Sequence, residues 1–213
     1  MKGPGARRLL AGIVGGVAIL GVGATIAHAD SSISAPYAGA NHGTTVHCPT
    51  GTAQCAANAA SDASSGVIAV FSSIDSGVGG RVPSRSASSV ATGAINAASP
   101  TGTARSFSAA VHAHVDGYDV ARTGDGTAYL VVWALVMCDG CTPHTVTAIV
   151  HGDGDITLSP SATRSTTNPG ALTIELDAAA ESTLECHDFC VPVTGTASSA
   201  GHVTLTSVQI ASS

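Results

Sequence analysis

Along residues 106–115 apolar and polar positions alternate. Phe107, Ala109, Val111, Ala113 and Val115 fall on one parity, and Ser106, Ser108, Ala110, His112 and His114 on the other. Successive side chains of a strand point to opposite faces of its sheet, so this period of two predicts a strand with one face inward. Leu172, Ile174 and Leu176 alternate in the same way with Thr173, Glu175 and Asp177, which predicts a strand wet on one face. Residues 129–137 are apolar at both parities, as expected of a central strand covered on both sides. Further strands are predicted over 145–151, 156–159, 191–196 and 202–210. Turn signals stand between them at Gly124-Asp125-Gly126, Asp139-Gly140 and Gly152-Asp153-Gly154.

Before Arg105 the pattern weakens. Residues 66–74 read as one more strand, and the Ala-rich stretch 52–63 as a short helix. Residues 76–104 are mostly Gly, Ser, Ala, Pro and Thr, with little to bury, and read as a long loop or linker. The expected fold class is therefore all-β: an antiparallel β-sandwich, Ig-like or jelly-roll-like, of about seven to nine short strands. It is expected over residues 105–213, preceded by an N-terminal segment over 30–104.

Residues 1–29 read as a cleaved signal peptide. A basic stretch ending in Arg7-Arg8 precedes an uncharged apolar run to Ile26, and Ala27-His28-Ala29 offers the small-x-small pattern of a cleavage site. The alternative is an uncleaved anchor, the one route by which a membrane enters this reading. Arg7-Arg8 also partly matches a twin-arginine signal, which exports folded proteins. Cleavage after Ala29 removes three of the eight basic residues and leaves five arginines, no lysine and all 14 acids, a formal charge of −9. That balance argues against nucleic acid and anionic membrane surfaces as partners, since both call for a basic face. A chain without lysine also has no Schiff-base amine. Seven scattered aromatic residues argue against a dedicated carbohydrate binder.

Six cysteines form three close pairs: Cys48 with Cys55, Cys138 with Cys141, and Cys186 with Cys190. In an exported chain this arrangement points to three short-range disulfides, with Asp139-Gly140 making the middle pair a clamp on a hairpin. The alternative is zinc, held by the Cys138 and Cys186 pairs with His144 or His187 as alternates. His112 and His114, two apart on one strand, point to the same face and are the candidate ligands for a Cu or Zn ion. The acidic turns around Asp125, Asp139, Asp153 and Asp155 have the local flavour of calcium sites but lack an EF-hand's bidentate Glu. No Gly-x-Ser-x-Gly, His-Glu-x2-His or phosphate-binding loop occurs, and Glu175, Glu181 and Glu185 have no context that marks paired catalytic carboxylates.

The sequence thus reads as an exported, disulfide-stabilised β protein, secreted or in the cell envelope, with a binding or envelope role and an unidentified extracytoplasmic partner. It shows no evident catalytic motif, which favours a non-enzyme without deciding the point, and it calls for no resident cofactor. Two alternatives stand beside it: a Cu- or Zn-binding protein or small metalloenzyme using His112 and His114, and a secreted hydrolase with an unrecognised site.

Overall fold

The computed structural model describes residues 31–48, 53–76, 87–102, 104–165, 170–185 and 194–212. The expected signal peptide, Cys186, His187, Cys190 and most of the predicted 191–196 strand lie outside the described residues. Among the described residues thirteen strands are formed: β1 (Ser31–Ile33), β2 (Gly39–His47), β3 (Gln54–Asp62), β4 (Val67–Asp75), β5 (Ala87–Gly102), β6 (Ser106–Gly124), β7 (Gly126–Cys138), β8 (Cys141–His144), β9 (Val146–Val150), β10 (Gly154–Leu158), β11 (Ser161–Arg164), β12 (Gly170–Leu184) and β13 (Gly195–Ser212). Every pairing is antiparallel. An eight-stranded sheet runs β3-β4-β13-β6-β11-β8, with β1 added on β13 and β10 on β6. A five-stranded sheet runs β2-β5-β12-β7-β9. The chain is all-β with two antiparallel sheets, in a sandwich-like arrangement.

One core joins the sheets. The inward parity of β6, Phe107 to Val115, packs with Ile68 and Val70 of β4 and Val203, Leu205 and Val208 of β13. The same cluster takes in Leu130, Val132, Ala134 and Val136 of β7 and Leu172, Ile174 and Leu176 of β12. Each fully buried large aliphatic side chain is worth about 1.5–3 kcal/mol, so this shared interior is what holds the two sheets face to face. A smaller cluster of Ile74, Ala87 and Leu184 closes one end, with Cys55 packed against it.

The structure departs from the sequence pattern in four places. The helix expected over 52–63 is strand β3, laddered with β4 from Gln54–Asp75 to Asp62–Val67. Alanine's helix preference amounts to tenths of a kcal/mol per residue, and a full ladder outweighs it. The loop expected over 76–104 gives way over 87–102 to β5, which lies between β2 and β12 and buries Ala87, Ala91, Ile95 and Ala97 inward. Small side chains made this stretch look empty of core, yet the sandwich interior accepts them. Strands from both sides of residue 104 therefore share each sheet: among the described residues the eight strands β6 to β13 fall within 105–213, and β1 to β5 join them from before it.

The other two departures concern β7. Only its inward parity is enclosed: Tyr129 is 41% exposed, and Val131, Trp133, Leu135 and Met137 are half-buried on the outward face. The turn at Asp139-Gly140 forms, with Gly140 at a φ of 70° that suits glycine. It does not close a hairpin, however. It carries the chain from β7 in one sheet to β8 in the other.

Candidate functional site

The outer face of the eight-stranded sheet gathers the imidazoles. Register places Asp155 and Thr157 of β10 opposite His114 and His112 of β6, and His202 of β13 opposite Asp116. His114 Nδ1 donates to Asp155 Oδ1 at 2.7 Å and His202 Nδ1 to Asp116 Oδ1 at 3.2 Å. His112 Nδ1 lies 3.1 Å from Thr157 Oγ1. All three rings are held through Nδ1, which leaves Nε2 as the ring atom for a ligand. An Nδ1–H bonded to a carboxylate fixes the tautomer in which Nε2 carries the lone pair.

Two irregularities between β6 and β13 shape this row. The register shifts between Leu205 and Ser207, and the Thr206 hydroxyl donates to the His112 carbonyl at 2.9 Å. A second shift falls between Ala200 and His202, where Gly117 on the facing strand takes a φ of 63°. Bulges of this kind re-aim neighbouring side chains. Beside His202 they border a hollow of about 270 Å³ whose lining includes Asn58, Ala69, Phe71, Gly117 and His202. Phe71 stands 40% exposed there, an aromatic ring next to amide and imidazole groups.

The sequence-derived candidates thus part company. His112 and His114 do share a face, and His202 joins them as a neighbour from a segment 86 residues on from Asp116. His144 sits apart on β8, opposite Ser161. Among the described residues no group of three or more His, Cys, Asp or Glu side chains is gathered around one point that a metal ion could occupy. Cys48–Cys55 and Cys138–Cys141 are disulfides, so these four sulfurs are not thiolate ligands. Each bond spans a sheet-to-sheet crossing: Cys48 follows β2 and Cys55 lies in β3, while Cys138 ends β7 and Cys141 begins β8. The acidic turns are engaged by the fold itself. Asp153 accepts from the Tyr118 backbone N–H at 2.7 Å, and Asp125 from that of Thr194 at 3.1 Å. Asp62, at the β3–β4 turn, accepts from Ser64 and Ser65, and these bonds hold its carboxyl below the usual range.

The alternation along β12 predicts a solvated Asp177. Instead Asp177 is 9% exposed, and its Oδ2 has no hydrogen-bond partner. Burial, reinforced by the charge of Glu175 and a hydrogen bond to it, pushes Asp177 up to about 7. Two acids two residues apart on an otherwise apolar strand were the available sequence signal; the burial itself comes from neighbouring strands.

No protein-family model matches this chain, and no curated protein does. Among solved structures, that of TmCBM61 in complex with β-1,4-galactotriose is similar over 81% of this chain and 88% of that one, at 10% identity and a TM-score of 0.28. At that score the likeness carries no argument about fold or ligand.

Proposed function

We propose that this chain is an exported, disulfide-stabilised binding protein that works outside the cytoplasm, secreted or in the cell envelope. Its binding surface is the outer face of the eight-stranded sheet. The observation that carries this reading is the row of three imidazoles, each held at Nδ1 by a neighbour on the same face, beside the hollow at Phe71. Pre-oriented polar groups next to an exposed ring are what a recognition surface needs. The central strand orders β4-β13-β6-β11 and β5-β12-β7-β9, with the chain crossing between sheets from β4 to β5, β6 and β7, favour the jelly-roll-like form over the Ig-like one.

Expression with the leader in place tests the reading. The product is expected outside the cytoplasm, beginning at Asp30, with no cysteine open to alkylation before reduction. Retention by the cell envelope should drop in the His112→Ala/His114→Ala/His202→Ala variant. A cytoplasmic product with six reactive thiols would end the proposal.

A second reading has its own support. Metal-ligating histidines commonly donate their other ring N–H to a carboxylate, which is how His114 is held, and His112 Nδ1 lies beside the Thr157 hydroxyl. On this reading the two Nε2 atoms hold a Cu or Zn ion, with remaining positions filled by water or a ligand. Titration calorimetry with CuCl2 and ZnCl2 decides it: binding at one equivalent should vanish in His112→Ala/His114→Ala. Equal binding by that variant rules the site out.

A further inference from the structure

The five-stranded sheet turns a chemically different face outward. On it β12 lies in register between β5 and β7. Glu175 stands between Asn96 and Leu135, Asp177 between Ala94 and Trp133, Ala179 between Thr92 and Val131, and Glu181 between Val90 and Tyr129. β9 extends the face with Ile149 opposite Val131, and Ile149 and Tyr129 are 51% and 41% exposed. Among the described residues this face carries three carboxyls and neither lysine nor arginine.

Asp177 is the anomaly. A carboxyl on a residue nine-tenths buried, one of whose oxygens has no donor, is unfavourable unless something arrives to pair with it. We propose that this face docks an arginine side chain of a partner polypeptide, its guanidinium bridging Glu175 and Asp177 and stacking on Trp133.

The chemistry selects that group. Two carboxyls two residues apart on one strand point the same way and offer neighbouring acceptors. A guanidinium fork bridges such acceptors, whereas an ammonium meets them as a single point. Trp133, directly opposite Asp177, supplies the aromatic face to which a cation is most strongly drawn. The apolar surface continues past the pair through Tyr129, Val131, Leu135 and Ile149, further than one side chain reaches. The arginine therefore belongs to a polypeptide with apolar neighbours rather than to a small free cation.

Protonation is coupled to this docking. Asp177 lies at about 7 because burial and Glu175 both disfavour its charge, so near neutrality Asp177 holds its proton about half of the time. The other titratable groups on this face are Glu181 on β12, Tyr129 on β7 and His47 on β2; β5 and β9 present Asn96, Ala94, Thr92, Val90, Thr147 and Ile149. An arriving guanidinium displaces the Asp177 proton to solvent. Docking strengthens as pH rises through 7.

Trp133 is the chain's single tryptophan, so its fluorescence reports on this face. The probe is the blocked peptide acetyl-Leu-Val-Arg-Val-Leu-amide, with its lysine and citrulline counterparts. The arginine peptide is expected to change Trp133 fluorescence saturably, and to bind at least about fivefold more tightly at pH 8 than at pH 6. Calorimetry in two buffers of different ionisation heat should show a proton released. Glu175→Gln and Asp177→Asn should each weaken binding by about tenfold or more, as should citrulline, while Asp119→Asn on the other sheet should leave it unchanged. His112→Ala/His114→Ala should also bind the peptide normally, which separates this site from the histidine face. Lack of saturable binding, equal binding of the citrulline or lysine peptide, or equal losses in Asp119→Asn and Asp177→Asn would overturn the proposal. Should Asp177→Asn fail to fold, Glu175→Gln and Trp133→Phe probe the same contact through the loss of affinity read by calorimetry, which needs no tryptophan, and unchanged binding in both would overturn it equally.

Discussion

The two outer faces of the sandwich treat polar groups in opposite ways. On the eight-stranded sheet each of the three imidazoles has a carboxylate or hydroxyl beside it, one strand away, and both partners remain in contact with water. On the five-stranded sheet Asp177 is buried with one oxygen unsatisfied, and its nearest acidic neighbour repels it. Solvated pairs contribute little stability but fix orientation. An unsatisfied buried carboxyl opposes folding, and whatever pairs with it later gains what the fold gave up. The first face is pre-arranged, and the second is primed.

The largest perturbation strikes both faces at once. Leu130 is fully buried where the sheets come close: a Cβ added at Gly201 would stand 2.6 Å from its Cδ2. Leu130→Ala should cost about 2–5 kcal/mol by urea denaturation. A loss well below 1 kcal/mol would mean that the faces do not rest on a common core. Next comes the link between sheets. Replacing Cys138 and Cys141 together by serine should cost about 2 kcal/mol, because the four-residue ring constrains the unfolded chain only modestly. No change in denaturation midpoint would show that the crossing needs no bond.

Asp177→Asn separates the faces. The folded-state value near 7 lies above the ordinary 3.8, so protonation favours the fold. This contribution is complete below about pH 4 and fades as pH rises to about 7. The asparagine variant should match the wild type in acid and exceed it by about 1–2 kcal/mol above pH 7, a figure discounted for solvent screening at the sheet surface. Parallel stability–pH curves would remove the distinction between a primed and a paired face. The smallest effect belongs to the other sheet: His114→Asn should change stability by less than about 1 kcal/mol, since the pair is exposed. A larger loss would show that the histidine row supports the fold as well as presenting ligand atoms.

Much of the sandwich is legible in the sequence because its long strands alternate. Phe107 to Val115 and Leu172 to Leu176 face inward as their parity requires. Segments built from small residues mislead: Ala-rich β3 and β5 carry little hydrophobic signal, and ladders with distant strands decide their state. The site was half legible. His112 and His114 follow from their spacing, but His202 reaches them only because β13 pairs with β6. Asp177 was hidden for the same reason, since parity assigns it to the outward face while its burial depends on that face's setting beside Trp133 and Ala94. The apolar run of β7 announced a second covered face, and the structure leaves that face open.

The pairing of β1 with β13 bears on how the molecule is displayed. Ser31 lies opposite Ile210, so the two ends of the described chain emerge side by side. His202 lies eight residues back along β13, about 25 Å away at the usual rise per residue. Ser31 and Ile210 therefore mark one edge of the described fold, and the hollow at Phe71 lies further along β13 from it.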